Sequence, residues 1–129
     1  MALAAQALNT IASPEMQACI EACLNCALAC EICADTAIPE GKVDCARYCR
    51  DCAEVCKMAA SWMARSSAFH LELCQLCAFV CDLTANECGK HNTDHCQVCM
   101  RACTDCAEKC HAMAAAAGDR LNMGTTTRG

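Results

Sequence analysis

Apolar positions between Ser13 and Ala117 recur at steps of three and four residues, and most of the recurring positions are cysteine. A first run carries Cys19, Cys23, Cys26, Cys30 and Cys33, and a second Cys45, Cys49, Cys52 and Cys56. A third carries Cys74, Cys77, Cys81 and Cys88, and a fourth Cys96, Cys99, Cys103, Cys106 and Cys110. Such steps hold side chains on one face of a helix, whereas a strand would divide them between two faces. Turn and cap residues separate the runs. Ser13-Pro14-Glu15 supplies an N-cap, a proline at the first helical position and an early acid, and Ile38-Pro39-Glu40-Gly41 ends that helix. The second helix is predicted to run to about Arg65 and Ser66-Ser67 to cap the third, which ends near Gly89; the fourth starts around Asn92-Thr93-Asp94.

Four helices with short connections predict an all-α fold, an antiparallel up-down four-helix bundle whose four sulfur stripes meet along one axis. The first stripe alone spans about 21 Å at the helical rise per residue. The bundle is expected to occupy residues 13–117, with residues 1–12 a short N-terminal helix or extension and residues 118–129 a polar C-terminal tail.

Composition says what fills that axis. Cysteine supplies 18 of 129 residues, while Leu, Ile, Val and Phe together number only 19, so the core must be largely sulfur. A net charge of -5 and a pI near 5.2, with Tyr48, Trp62, Phe69 and Phe79 as the aromatic residues, argue against a nucleic-acid surface. Residues 1–12 lack Lys and Arg and are interrupted by Gln6 and Asn9, so no export signal is expected. Charged or amide residues are likewise expected to interrupt every apolar stretch short of bilayer length. A soluble cytoplasmic protein without membrane or nucleic-acid partners follows, in a compartment that keeps thiols reduced and so disfavours a disulfide scaffold.

Free cysteine is a common small core residue. Exchanging nearly every core leucine for it, however, gives up buried apolar area at roughly 25 cal/mol per Å² with no folding gain. Zinc is the first metal to weigh, since Cys23/Cys26, Cys49/Cys52 and Cys103/Cys106 have the C-x-x-C spacing. Those pairs lie inside unbroken helical stripes rather than on turns, and each Zn(II) on four thiolates would leave two negative charges in a dry core. Cu(I) avoids this cost, because one ion replacing one thiol proton leaves the core charge unchanged, and soft thiolates select it. The iron–sulfur spacing with a trailing Cys-Pro is absent. No nucleophile triad, phosphate loop or acid pair stands apart from the stripes, so no enzyme is expected. A thiol redox buffer and a metallothionein-like zinc or mixed-metal sink stay open as alternatives.

The cysteine pattern resembles that of the bacterial copper storage proteins, specifically their cytosolic, signal-free branch. The similarity spans Ser13 to Ala117 and is carried by the i, i+4 pairs Cys19/Cys23, Cys26/Cys30, Cys45/Cys49, Cys52/Cys56, Cys77/Cys81, Cys99/Cys103 and Cys106/Cys110 on four successive helices. The resemblance implies a four-helix bundle that binds many Cu(I) ions in its core, assembles as a homotetramer, and stores copper rather than catalysing a reaction. A copper chaperone or efflux protein is the partner such a store would need. One departure is the third helix, where Leu83, Thr84 and Ala85 stand between Cys81 and Cys88, so the copper ladder is expected to thin around Ala85.

The ends and backs of the helices add detail. Met16, Met63, His70 and Met113 fall at one end of an up-down bundle, as soft or nitrogen donors or as core caps. His91 and His95 fall at the other, beside Cys88 and Cys96, where their four-residue spacing makes them candidate ligands at the mouth of the sulfur stripes. His111 points away from the stripe and is assigned no role. Leu24 and Leu28 on the first helix and Leu76, Phe79 and Leu83 on the third form apolar outward faces, whereas Arg47, Arg50, Glu54, Arg101, Asp105 and Glu108 make the backs of the second and fourth polar. Two apolar strips on diagonal helices predict two interfaces and a dihedral tetramer; if residues 1–12 cover Leu24 and Leu28, a dimer is expected instead.

Overall fold

The computed structural model describes residues 2–115, so the expected polar tail at 118–129 and the last two residues of the expected bundle lie outside the described residues. Five helices follow one another: α1 (Ala2–Asn9), α2 (Pro14–Ala37), α3 (Val43–Ala64), α4 (His70–Gly89) and α5 (Asp94–Ala115). Helix α2 packs along α3 and α5, and α4 packs along the same two, which places α2 and α4 on one diagonal and α3 and α5 on the other. This is the up-down bundle, with α1 appended against α2.

Local chemistry sets the helix ends. The Ser13 hydroxyl accepts the Met16 N–H at 3.1 Å, and Pro14 occupies the first turn, where no amide donor is needed. Helix α2 closes with the Gly41 N–H donating to the Ile38 carbonyl and the Lys42 N–H to that of Ala37, both at 3.0 Å. That turn needs a left-handed residue, which Gly41 supplies at φ 77°. The end of α3 repeats the pattern: the Ser66 N–H donates to Met63 at 3.1 Å and the Ser67 N–H to Trp62 at 2.9 Å. Here the left-handed position is held by Ser66 at φ 51°. Ser66 and Ser67 therefore terminate α3 instead of capping the next helix, which corrects the expected boundary. Helix α4 begins only at His70, after the Ser67 hydroxyl has accepted the Phe69 N–H at 3.3 Å.

Every one of the eighteen cysteines is fully buried. Alanines flank the stripes, among them Ala22, Ala27, Ala53, Ala59, Ala78 and Ala107, and are buried between neighbouring helices. Their small side chains let the helices approach closely, so sulfur faces the axis and the contacts between helices close it to solvent. Helix α2 is long and apolar enough to cross a membrane by length and composition alone, contrary to the expectation that no segment is. Cysteine and alanine account for that, and its cysteine stripe is spent on the bundle core.

Helix α1 changes one outward face. Leu24 is half-buried against the core together with Leu8 of α1, and both line an apolar surface cleft of about 390 Å³ with Ile11 and Ile20. Leu24 is thus not part of an exposed strip. Leu28 and Ile32 remain exposed on α2, as do Leu76, Phe79 and Leu83 on α4.

Candidate metal centre

Four helices deliver their sulfurs to one continuous column. At the end formed by the α2–α3 and α4–α5 turns, Cys33 lies 3.9 Å from both Cys45 and Cys96, and Cys45 lies 3.8 Å from Cys88. Inward, Cys49 meets Cys88 at 3.5 Å and Cys99 at 3.7 Å, and Cys99 meets Cys30 at 3.6 Å. The middle is a mesh in which Cys26 reaches Cys103 at 3.6 Å and Cys52 at 3.8 Å, while Cys81 is 3.6 Å from both Cys52 and Cys56. Deeper still, Cys56 meets Cys77 at 3.7 Å and Cys106 at 3.8 Å. Cys106 meets Cys23 at 3.6 Å, and Cys110 lies 3.6 Å from Cys23 and 3.8 Å from Cys19. Cys74 completes the far end beside Cys19 and Cys110.

Several sets of four sulfurs lie within 4.8 Å of one another, including Cys33/Cys45/Cys49/Cys88 and Cys56/Cys77/Cys81/Cys106. Adjacent sets share members, so ions held by them would be bridged by common thiolates. Such a soft, water-excluded donor set suits Cu(I).

The stripe on α4 is interrupted. The residue in phase with Cys77, Cys81 and Cys88 is Thr84 rather than Ala85, and Thr84 is fully buried. Its hydroxyl donates to the Val80 carbonyl at 2.8 Å and approaches that of Tyr48 at 3.4 Å, so it is engaged with backbone instead of sulfur. The thinning expected around Ala85 is therefore placed one residue earlier, at a hard oxygen.

The two ends of the column differ. At the turn end, His95 Nδ1 stands 3.3 Å from Cys33 Sγ and 3.6 Å from Cys96 Sγ. Its Nε2 donates to Glu40 Oε1 at 2.8 Å. Burial disfavours the charged ring, but the hydrogen bonds to Cys33 and Glu40 outweigh it and raise the His95 pKa. Hydrogen bonds from Cys49 and Cys88, with a further one from His95, bring the Cys33 pKa down to about 6, making this the place at the mouth where a thiolate is favoured. Burial pushes Cys45 up to about 12 and also raises Cys96. His91 lines the same end with its Nε2 3.5 Å from Glu87 Oε2. At the opposite end Met63 is buried, Met16 and Met113 pack half-buried against the core, and His70 Nδ1 donates to the Ser67 carbonyl at 2.8 Å. His111 lies outside the column, on the surface, with its Nε2 2.7 Å from Asp82.

Residues 12–115 match the profile of the copper storage proteins. The chain belongs to the copper storage protein family. A cysteine-rich protein of Bacillus subtilis, YhjQ, is 45% identical over 103 residues, covering 77% of this chain and 95% of that protein. The Cu(I)-bound copper storage protein BsCsp3 superposes with a TM-score of 0.75 at 42% identity, over 78% of this chain and 98% of its own. The Streptomyces lividans copper storage protein Ccsp, loaded with 10 copper equivalents, gives a TM-score of 0.79 at 32% identity, over 87% and 98%. The family match spans the four bundle helices and all eighteen cysteines described above.

Glu40 and Thr93 stand out in the sequence only as turn and cap residues and Lys42 not at all, yet the three surround His95. Lys42 Nζ donates to Glu40 Oε1 at 2.9 Å and to Thr93 Oγ1 at 3.1 Å. Lys42 first, and His95 next, hold the Glu40 carboxylate below its ordinary pKa. The only hint in the sequence is that two turns of an up-down bundle meet at the same end.

Proposed function

We propose that this chain is a high-capacity Cu(I) store of the cytosol, the compartment ascribed to a Streptomyces lividans relative, and that it acts as a reservoir rather than as a catalyst. The observation that carries this reading is the column of eighteen buried thiols, seventeen of which lie 3.5–4.0 Å from a neighbouring sulfur, with Cys74 beside Cys19 and Cys110 at the far end. Each Cu(I) that enters displaces one proton, so the column fills without accumulating charge. Residues 13–117 form the binding unit, all eighteen cysteines serve as ligands, and His95 adds a nitrogen donor at the mouth with His91 flanking it. The exposed strips of α2 and α4 lie on diagonal helices, which supports two separate interfaces and a homotetramer of dihedral symmetry. Copper reaches and leaves such a store through a thiol-bearing chaperone or efflux partner.

Anaerobic titration with Cu(I) against a competing chelator tests this function. Tight uptake is expected to continue to about eighteen ions per chain, one for each thiol. Saturation after a few ions, or displacement of bound copper by excess Zn(II), would overturn the reading.

A further inference from the structure

We propose that Glu40 is a positioning residue of the copper mouth, fixing the ring of His95 so that Nδ1 is presented to the thiols of Cys33 and Cys96. The proposal rests on His95 being a Cu(I) ligand. The imidazole is held from opposite edges: Nε2 meets Glu40 Oε1 at 2.8 Å, while Nδ1 faces Cys33 at 3.3 Å and Cys96 at 3.6 Å. A neutral ring whose Nε2–H donates to a carboxylate carries its lone pair on Nδ1, so a metal that displaces the proton shared between Nδ1 and Cys33 finds a nitrogen donor already aimed at it, and a half-turn of the ring would break the Glu40 bond. Carboxylate–histidine pairs of this kind set the tautomer, orientation and basicity of metal-bound histidines. Glu40 is itself held, because Lys42 binds the same oxygen at 2.9 Å and is tied to Thr93, two residues before His95, at 3.1 Å. This chain of contacts latches the α2–α3 turn to the start of α5. Cys33, Cys96 and His95 Nδ1 then offer two sulfurs and one nitrogen to an arriving Cu(I), which replaces a thiol proton while the Nε2 proton stays on the ring, donated to Glu40.

The test compares Glu40→Ala, Glu40→Gln, His95→Ala and the double variant Glu40→Ala/His95→Ala in the full chain, with helical circular dichroism confirming folding. Two quantities are read: affinity for the His95-dependent copper against a chelator, and the ¹⁵N shifts of the His95 ring with and without Cu(I). Glu40→Ala should weaken that copper by about 10- to 100-fold and abolish the single Nε2–H signature. Glu40→Gln, whose amide oxygen still accepts from Nε2, should restore most of both. In the His95→Ala background the loss of Glu40 should have no further effect. Equal loss in that background would show that Glu40 acts by charge alone and would overturn the proposal, as would unchanged ¹⁵N shifts in Glu40→Ala. If His95→Ala leaves copper affinity untouched and the wild-type ring shifts ignore Cu(I), it is the underlying assignment of His95 as a ligand that fails.

Discussion

Thr84→Cys should add a copper position to the column. Along α4 the interval from Cys81 to Cys88 is seven residues, about 10.5 Å, whereas the other steps within the four stripes are three or four residues, about 4.5–6 Å. Thr84 fills the missing step, fully buried and in phase, but its hydroxyl is committed to the Val80 and Tyr48 carbonyls. The substitution exchanges a methyl and a hydroxyl for one thiol. Losing a net hydrogen bond costs about 0.5–1.5 kcal/mol and losing a methyl about 0.8 kcal/mol, so the apo protein should lose about 1–2 kcal/mol and still fold. Neutral filling at one copper per sulfur then raises capacity by about one Cu(I) per chain. Native mass spectrometry after anaerobic loading reads the gain directly, with Thr84→Val as the control that removes the hydroxyl without adding sulfur. A folded Thr84→Cys chain with an unchanged copper plateau would refute the view that thiol count sets capacity.

Other outcomes follow from the same geometry. Full loading should approach about eighteen Cu(I) per chain, and a plateau near half of that would contradict neutral filling. The apo chain should keep its helical circular dichroism at pH 7, because the four helices bury their cysteine and alanine faces against one another without metal, and loss of that signal would count against a preformed column. Burial raises the Cys45 pKa to about 12. Because that value lies above the ordinary 9.0, the folded form binds more protons than the unfolded form between the two, so apo stability should fall as pH rises from about 9 towards 12; denaturant midpoints independent of pH there would contradict it. Ser66→Gly should stabilise the protein by about 0.5–1 kcal/mol by relieving the left-handed serine, measured as a higher Tm, and a lower Tm would deny the strain. Leu76→Glu with Phe79→Glu should reduce the mass seen by light scattering while copper per chain stays constant; an unchanged mass would exclude that strip from assembly.

The bundle and its sulfur column were legible because helical period is written into residue spacing: a cysteine every third or fourth position leaves one geometry that brings all of them inside. The gap on α4 was legible too, but only side-chain phase against Cys77 and Cys81 assigns it to Thr84 rather than Ala85. Ser66 and Ser67 were ambiguous because serine suits both a helix N-cap and a turn, and the preceding α3 backbone decided the matter. Leu24 read as an outward residue because nothing in the spacing shows where an alanine-rich N-terminal segment will lie. The Glu40–His95 contact joins residues 55 positions apart, so it depends on how two turns meet in space, which residue spacing within either turn does not encode.

The interruption at Thr84 also gives the column a topology. Around the middle and far end each sulfur has several neighbours; Cys56, for example, touches Cys52, Cys77, Cys81 and Cys106. With α4 missing a step, the column narrows where the sulfurs at the turn end meet this mesh, around Cys49 and Cys99, which lie 3.7 Å apart, with Cys33 and Cys88 also beside Cys99 and Cys30 beside Cys49. The molecule is in effect a vestibule and a vault joined by an isthmus. On the proposed entry beside His95, an ion in the vestibule exchanges first and one in the vault follows through the isthmus. Losing a sulfur from the vault leaves many detours, whereas losing Cys49 leaves the waist with fewer, so a store built from equivalent thiols acquires a fast compartment and a slow one.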